Sequence, residues 1–296
     1  MTIPDTKTLQ TRHGPMIGLA GDRYITRSLE VYGEFSAGEW ALFAQMVKPG
    51  MTVVEVGANI GTHSVPLARA CFPGPLYLFE PQQRVFQILC ANLTLNDVRN
   101  AIAYPDACGD VAGFVVVPPL NYGAEFNFGG VSVQAEGDGV QGLRVRATPL
   151  DSLGLAACHL LKVDVEGFEV LVLRGATATI AKFRPLIYVE NDRVAHQQAL
   201  ISQIAGMGYR TLLACPAAVP ARQLQRLWRG YLRPDRLGEH ALHPQRARHG
   251  GTGPGTHRPG ELDIAGRPQA LRRRTGARKS PPVNPFPLAA DSLNQR

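Results

Sequence analysis

No run in the 296-residue sequence approaches the roughly 20 consecutive apolar residues that a membrane-spanning helix needs. The amino terminus, MTIPDTKTLQTRHG, has no apolar core of signal-peptide length, and a cytoplasmic location is the expectation. The five cysteines, Cys71, Cys90, Cys108, Cys158 and Cys215, are odd in number and include no C-x-x-C pair. That spacing argues against both a disulfide framework and a zinc site; the chain's acids leave room for a divalent ion, but no spacing demands one and no metal site is assigned. No internal repeat is visible.

Positive charge is scarce where the chain has a folding pattern. Residues 1–215 hold 16 Lys+Arg against 19 Asp+Glu, whereas residues 216–296 hold 15 against 5, so the formal net charge of +7 belongs to the tail. A basic footprint for nucleic acid should lie on the folded module that binds it, and no specific nucleic-acid partner is expected. The tail also carries 11 of the 23 prolines, the Arg272-Arg273-Arg274 run and few large aliphatics after Leu242. Chain entropy there has little apolar burial to offset it, which predicts disorder.

What is present is an alternation of short apolar runs and helical patterns from Val53 to Glu190, supported by 45% hydrophobic residues. Strands are predicted at 53–56, 76–79, 101–104, 160–163 and 186–189, with helices at 62–70, 82–96, 167–175 and 194–207. This is an α/β chain with a doubly wound, mostly parallel sheet. Three regions follow: 1–44, an N-terminal segment packing on the cofactor domain; 45–215, the ligand-binding domain; and the 216–296 tail. The Gly- and Val-rich stretch 114–150 is expected to form a hairpin or long excursion over the ligand site.

The strand ends carry the chemistry. VVEVGANIGTHS (Val53–Ser64) is a strand, a glycine turn and a helix opening, the arrangement that holds nucleotide-like ligands beyond a parallel sheet. It is not a G-x-G-x-x-G turn: Asn59 replaces the second glycine, Ser64 falls near where the third belongs, and Glu55 would repel a pyrophosphate. The same carboxylate suits a zwitterionic, cationic ligand such as S-adenosyl-methionine. Glu80, 19 residues after Gly61 at the second strand's end, is placed to accept hydrogen bonds from ribose hydroxyls. Asp106, with Ala107, could bound the adenine. Asp164 and Glu166 flank Val165 in the turn after the fourth strand, and Glu190 ends the fifth. Helix capping is the competing reading for Glu80 ahead of Pro81, and for one of Asp164 and Glu166.

With GEFSAGE (Gly33–Glu39), LYLFEPQ, LKVDVEGFEVLVLRGA and RPLIYVEN, these segments resemble the FkbM-type S-adenosyl-methionine-dependent methyltransferases over residues 9–215. The resemblance implies a class I, Rossmann-like methyltransferase fold. It also implies methyl transfer to a hydroxyl oxygen of a sugar or secondary metabolite, with S-adenosyl-L-methionine as donor and a small molecule or glycan as acceptor. It places Glu55, Gly57, Asn59 and Gly61 around the methionine portion, Glu80 on the ribose, and Asp164 and Glu166 near the transfer site, with Glu166 among the cofactor contacts. Asn121 and Asn127-Phe128-Gly129-Gly130 resemble the variable substrate-facing segment.

An aliphatic hydroxyl must lose its proton as its oxygen is methylated. Asp164 is the first candidate base, then Glu190, with His196 last; His63 lies close to the cofactor but is expected to pack within its helix. Two other classes compete. A nicotinamide-dependent oxidoreductase is disfavoured by the missing second glycine and by the absence of a Tyr-x-x-x-Lys type pair. A non-catalytic binding protein that retains the fold also fits. Family members commonly continue the sheet beyond the fifth helix; here Tyr209 to Cys215 begins such a strand and the pattern then stops, so the last strands are expected to be missing. A shifted reading frame and a native extension both account for the tail.

Overall fold

The computed structural model describes residues 5–191 and 193–212. The readings for Cys215 and for the 216–296 tail lie outside them.

The described chain begins with an antiparallel hairpin, β1 (Thr6–Thr11) and β2 (Gly14–Leu19). Helices α1 (Ile25–Tyr32) and α2 (Ala37–Met46) follow. Strands then alternate with helices: β3 (Val53–Val56), α3 (Ser64–Cys71), β4 (Leu76–Phe79), α4 (Gln83–Leu95) and β5 (Ala101–Tyr104). Next come β6 (Ala107–Cys108), β7 (Gly113–Val117), β8 (Gln134–Ala135) and β9 (Leu143–Thr148). A 3-10 turn at Leu150–Leu153 leads to β10 (Leu160–Val163), α5 (Glu169–Arg174), α6 (Thr177–Phe183), β11 (Leu186–Val189) and α7 (Val194–Gly206).

The central sheet has the order β11-β10-β3-β4-β5, and every neighbouring pair in it is parallel. Strand order reverses between β3 and β10, the place where open α/β sheets leave a crevice at their carboxyl ends. The five strands occupy the predicted positions because a parallel strand covered on both faces reads as a short apolar run. Alternation sorts their side chains. Val53, Leu76, Leu78 and Leu160 face one core with residues of the hairpin, α2, α3 and α4. Val54, Val56, Phe79, Leu161 and Val163 face the other, with residues of α5, α6 and α7. Two residues on the first face break the pattern: Glu55 and Lys162, which are register partners across β3 and β10 and are both buried.

The 114–150 stretch is more ordered than a single hairpin. β7 pairs antiparallel with β8 and β9, and β6 joins them in a second sheet of order β6-β9-β7-β8. The strand expected from Tyr209 is absent over 209–212, and 213–215 lie outside the described residues. Tyr209 is instead held by its side chain, with its hydroxyl donating to the Pro185 carbonyl at 3.0 Å and the Arg184 guanidinium 4.1 Å from its ring centre. Among the described residues, no helix is long and apolar enough to cross a membrane.

One carboxamide joins the hairpin to the crevice. Asn92, fully buried on α4, accepts from Ile17 N at 2.6 Å and donates to Ile17 O at 2.9 Å and Ile60 O at 2.8 Å. It thereby fixes β2 and the glycine turn after β3 to the same helix. Asn92→Ala leaves three backbone groups without that partner, and each buried unsatisfied group costs roughly 1–3 kcal/mol. The expected loss in urea unfolding is about 2–4 kcal/mol; a variant as stable as wild type would contradict this role.

Candidate functional site

The carboxyl ends of β3, β4 and β10 open onto a cavity of about 320 Å3. Its floor is the glycine turn. Gly57 sits at φ +84°, and a Cβ there would lie 1.9 Å from the Asp164 carbonyl oxygen, so only glycine lets β3 and β10 end this close together. Asn59 takes a left-handed conformation at φ 49°, tolerable for asparagine, and its Oδ1 accepts from Ile60 N at 2.8 Å. Gly61, at φ +90°, lies outside the lining; a Cβ there would press on Leu89 of α4 at 2.9 Å.

Glu80 ends β4 with both carboxylate oxygens engaged, Oε2 accepting from Asn59 N at 3.0 Å and Oε1 from Gln82 N at 2.9 Å. Burial outweighs these bonds and pushes its pKa up to about 7. Gln82 donates through Nε2 to the Phe128 carbonyl at 2.9 Å, while its buried Oε1 has no partner among the described residues. Asp106 follows β5, and its Oδ2 accepts from Arg146 Nε at 2.9 Å and Thr148 Oγ1 at 2.8 Å, both on β9. The second sheet is thus tied to the rim, and Asn127, Gly129, Gly130, Val131 and Val133 from the same excursion line the cavity.

The opposite wall is ionic. Lys162 Nζ lies 3.2 Å from Glu55 Oε1 and 3.0 Å from Asp164 Oδ2. The Lys162 side chain is 2% exposed and that of Asp164 31%. Glu55 Oε2 also accepts from Ser64 Oγ at 2.6 Å, so Glu55 is enclosed on both sides. Burial raises the Glu55 pKa despite the lysine. Burial also acts to raise Asp164, but Lys162 and a side-chain hydrogen bond with Glu190 outweigh it and hold this carboxyl below its usual value. For Lys162, burial is opposed by Asp164, Glu55 and Glu39, and the ammonium is held charged.

Around this core, His63 is buried with Nδ1 3.8 Å from Glu39 Oε2 and edge-on to Phe43, the ring centres 5.4 Å apart. Burial, then the nearby Lys162 charge, lowers its pKa to about 3, so it is a neutral imidazole. Glu39 is raised by burial and hydrogen-bonded to Tyr188. Glu166 pairs with Arg193 (Nε to Oε2, 3.0 Å), and its carbonyl accepts from Ser132 Oγ at 2.7 Å.

Of the residues singled out from sequence, Glu55, Gly57, Asn59, Glu80, Asp106, Asp164, Glu166 and Glu190 line one cavity, and Gly61 supports it from behind. His196 is exposed on α7 and is not among the lining residues. Sequence reasoning missed Lys162, Glu39 and Gln82. Lys162 left a signal, a charge inside the apolar strand LLKV, and Glu39 lay within the quoted GEFSAGE. Gln82 left none.

The arrangement offers enclosed carboxylates that can receive hydroxyl or ammonium donors, and one partly exposed anion, Asp164, that can take a proton. Against known proteins, the family model of the "Methyltransferase FkbM domain" matches residues 55–211. No curated protein matches. Among solved structures, the FkbM methyltransferase of Methylobacillus flagellatus KT is similar at 17% identity and a TM-score of 0.41, covering 55% of this chain and 39% of that one. Precorrin-6y C5,15-methyltransferase of Geobacter metallireducens GS-15 is similar at 12% identity and a TM-score of 0.37, covering 60% and 73%. The chain therefore spans about two fifths of the length of the Methylobacillus protein. With its switch-point cavity and a family match over more than half its residues, this chain belongs to the FkbM methyltransferase family.

Proposed function

We propose that the chain is an S-adenosyl-methionine-dependent O-methyltransferase whose acceptor is a hydroxyl of an uncharged sugar or secondary metabolite. The observation that carries this reading is the convergence of the Gly57 turn, Glu80 and Asp164 on one cavity at the switch point of a chain in this family. The residues fit the donor. Gly57 leaves a cradle that a Cβ would fill, Glu80 offers a carboxylate for ribose hydroxyls, and the unpartnered Gln82 Oε1 offers an acceptor beside it. The turn 57–59 would hold the methionine portion, and Asp106 with Ala107 and Cys108 the adenine.

The bound donor supplies a methyl group already activated on a sulfonium. The chain's own task is alignment and proton removal, and positioning of this kind is worth about 7–11 kcal/mol. Asp164 accepts the proton of the acceptor hydroxyl, and Glu190, hydrogen-bonded to it, is the second carboxyl of the relay. The acceptor's charge is read from the walls. Among the described lining residues Lys162 is the one charged base, and it is consumed by Glu55 and Asp164. A phosphate or carboxylate on the acceptor would meet Glu39, Asp164 and Glu190, with no further cation among the described lining residues to receive it.

Asp164→Asn keeps the shape and removes the base, so single-turnover methyl transfer should fall about 10²–10⁴-fold while the dissociation constant for S-adenosyl-homocysteine holds. Mass-detected transfer across a panel of sugars and polyketide alcohols reads it; retained turnover would move the base to Glu190.

Glu80 gives a pH signature. A carboxyl whose pKa is raised to about 7 is protonated below that pH and poor at accepting two ribose hydroxyls. Affinity for S-adenosyl-homocysteine should therefore rise between about pH 6 and about pH 8, by at most roughly tenfold per unit, and then level off. Glu80→Gln should bind more weakly and with a flat profile; a sloping profile in that variant would place the titration elsewhere.

A further inference from the structure

Lys162 is buried against the pattern of its own strand. Its neighbours Leu160, Leu161 and Val163 are core aliphatics, and its cross-strand partners on the same face are Glu55 and Tyr188. A buried ion pair contributes little net stability compared with well-packed apolar residues, so stability alone does not account for a lysine here. The geometry is also asymmetric. On one side, Glu55 is 1% exposed and locked by Ser64 Oγ at 2.6 Å. On the other, 3.0 Å from the same ammonium, Asp164 is 31% exposed toward the cavity. One arm of the clamp is an anchor, and the other holds the carboxylate that meets the acceptor.

We propose that Lys162 is a positioning residue that, anchored on Glu55, keeps Asp164 an anion turned into the cavity and so ready to receive the acceptor's proton. This rests on the reading of Asp164 as the base. Among the described residues, the titratable groups that bear on Asp164 beside the lysine include acids and neutral groups from each neighbouring element: Glu55 from β3, Glu80 from the end of β4, Glu39 from α2, His63 ahead of α3, and Tyr188 and Glu190 from β11 and its end. Without the ammonium, those acids and the partial burial favour a protonated Asp164, and a protonated carboxyl cannot take a second proton. In the cycle, the hydroxyl proton passes to an Asp164 oxygen and from there to water, after which the ammonium restores the anion.

The test reads Asp164 directly and requires no acceptor. Protein labelled with 13C at the aspartate side-chain carboxyls is titrated by NMR, with the Asp164 resonance assigned by its disappearance in Asp164→Asn. Wild type should titrate below the ordinary aspartate range. Lys162→Met should move the midpoint up by at least about two pH units, while Lys162→Arg, which keeps the charge, should leave it low. If Lys162→Met does not fold, Glu55→Gln with Lys162→Met removes the anchor and the charge together, and the same upward shift is expected. A wild-type midpoint at or above the ordinary range, or an unmoved midpoint in a folded variant without the lysine, overturns the proposal. Loss of the base reading is a separate result: Asp164→Asn would then keep its turnover while the lysine still set the Asp164 midpoint.

Discussion

The ammonium of Lys162, held between Glu55 and Asp164, sits where the strand order reverses, and the site is arranged around it. Removing one partner from a buried pair of this kind costs about 3–5 kcal/mol, because a charge is left without compensation. The pair therefore holds β3 and β10 in register at the point where Gly57 lets their backbones nearly touch. The glycine turn and the Asp164 turn leave the ends of those two strands beside it. The local electrostatics centres on it too: the one cation lowers the carboxyls it faces and keeps Asp164 below its usual value, whereas burial raises Glu39 and Glu55 despite it.

The rim over the crevice is built from segments distant in sequence. The excursion after β7 returns over the crevice and is fastened at three places: Phe126 exchanges backbone bonds with Gly21 and Arg23 at 3.0 and 3.1 Å, Phe128 accepts from Gln82, and Ser132 donates to Glu166. Gly21 is required there, since a Cβ would fall 2.1 Å from the Ala124 carbonyl oxygen. Phe128 is buried and stacks on Tyr122, which gives this roof its own apolar support.

Much of the sheet was legible in the sequence because its parallel strands are short apolar runs punctuated by strand-end acids, and Val53–Val56 through Leu186–Val189 lie where that pattern put them. The partners of those acids were not legible. Nothing in the sequence around Glu55 shows that Lys162, over a hundred residues away, lies against it. Asp106, read as bounding the adenine, shows nothing in the sequence of Arg146 and Thr148, which close on it. The Tyr209 strand failed for a comparable reason: an aromatic-aliphatic run has strand propensity, but Arg184 and Pro185 capture its tyrosine.

The account depends most directly on which ligand enters the crevice. Calorimetric titration of the purified chain with S-adenosyl-homocysteine and, in parallel, with NAD separates the two ligand chemistries that such a sheet can serve. Saturable binding of one S-adenosyl-homocysteine per chain, weakened in Glu80→Ala and with no heat from NAD, is the predicted result. Binding of NAD alone would contradict the account.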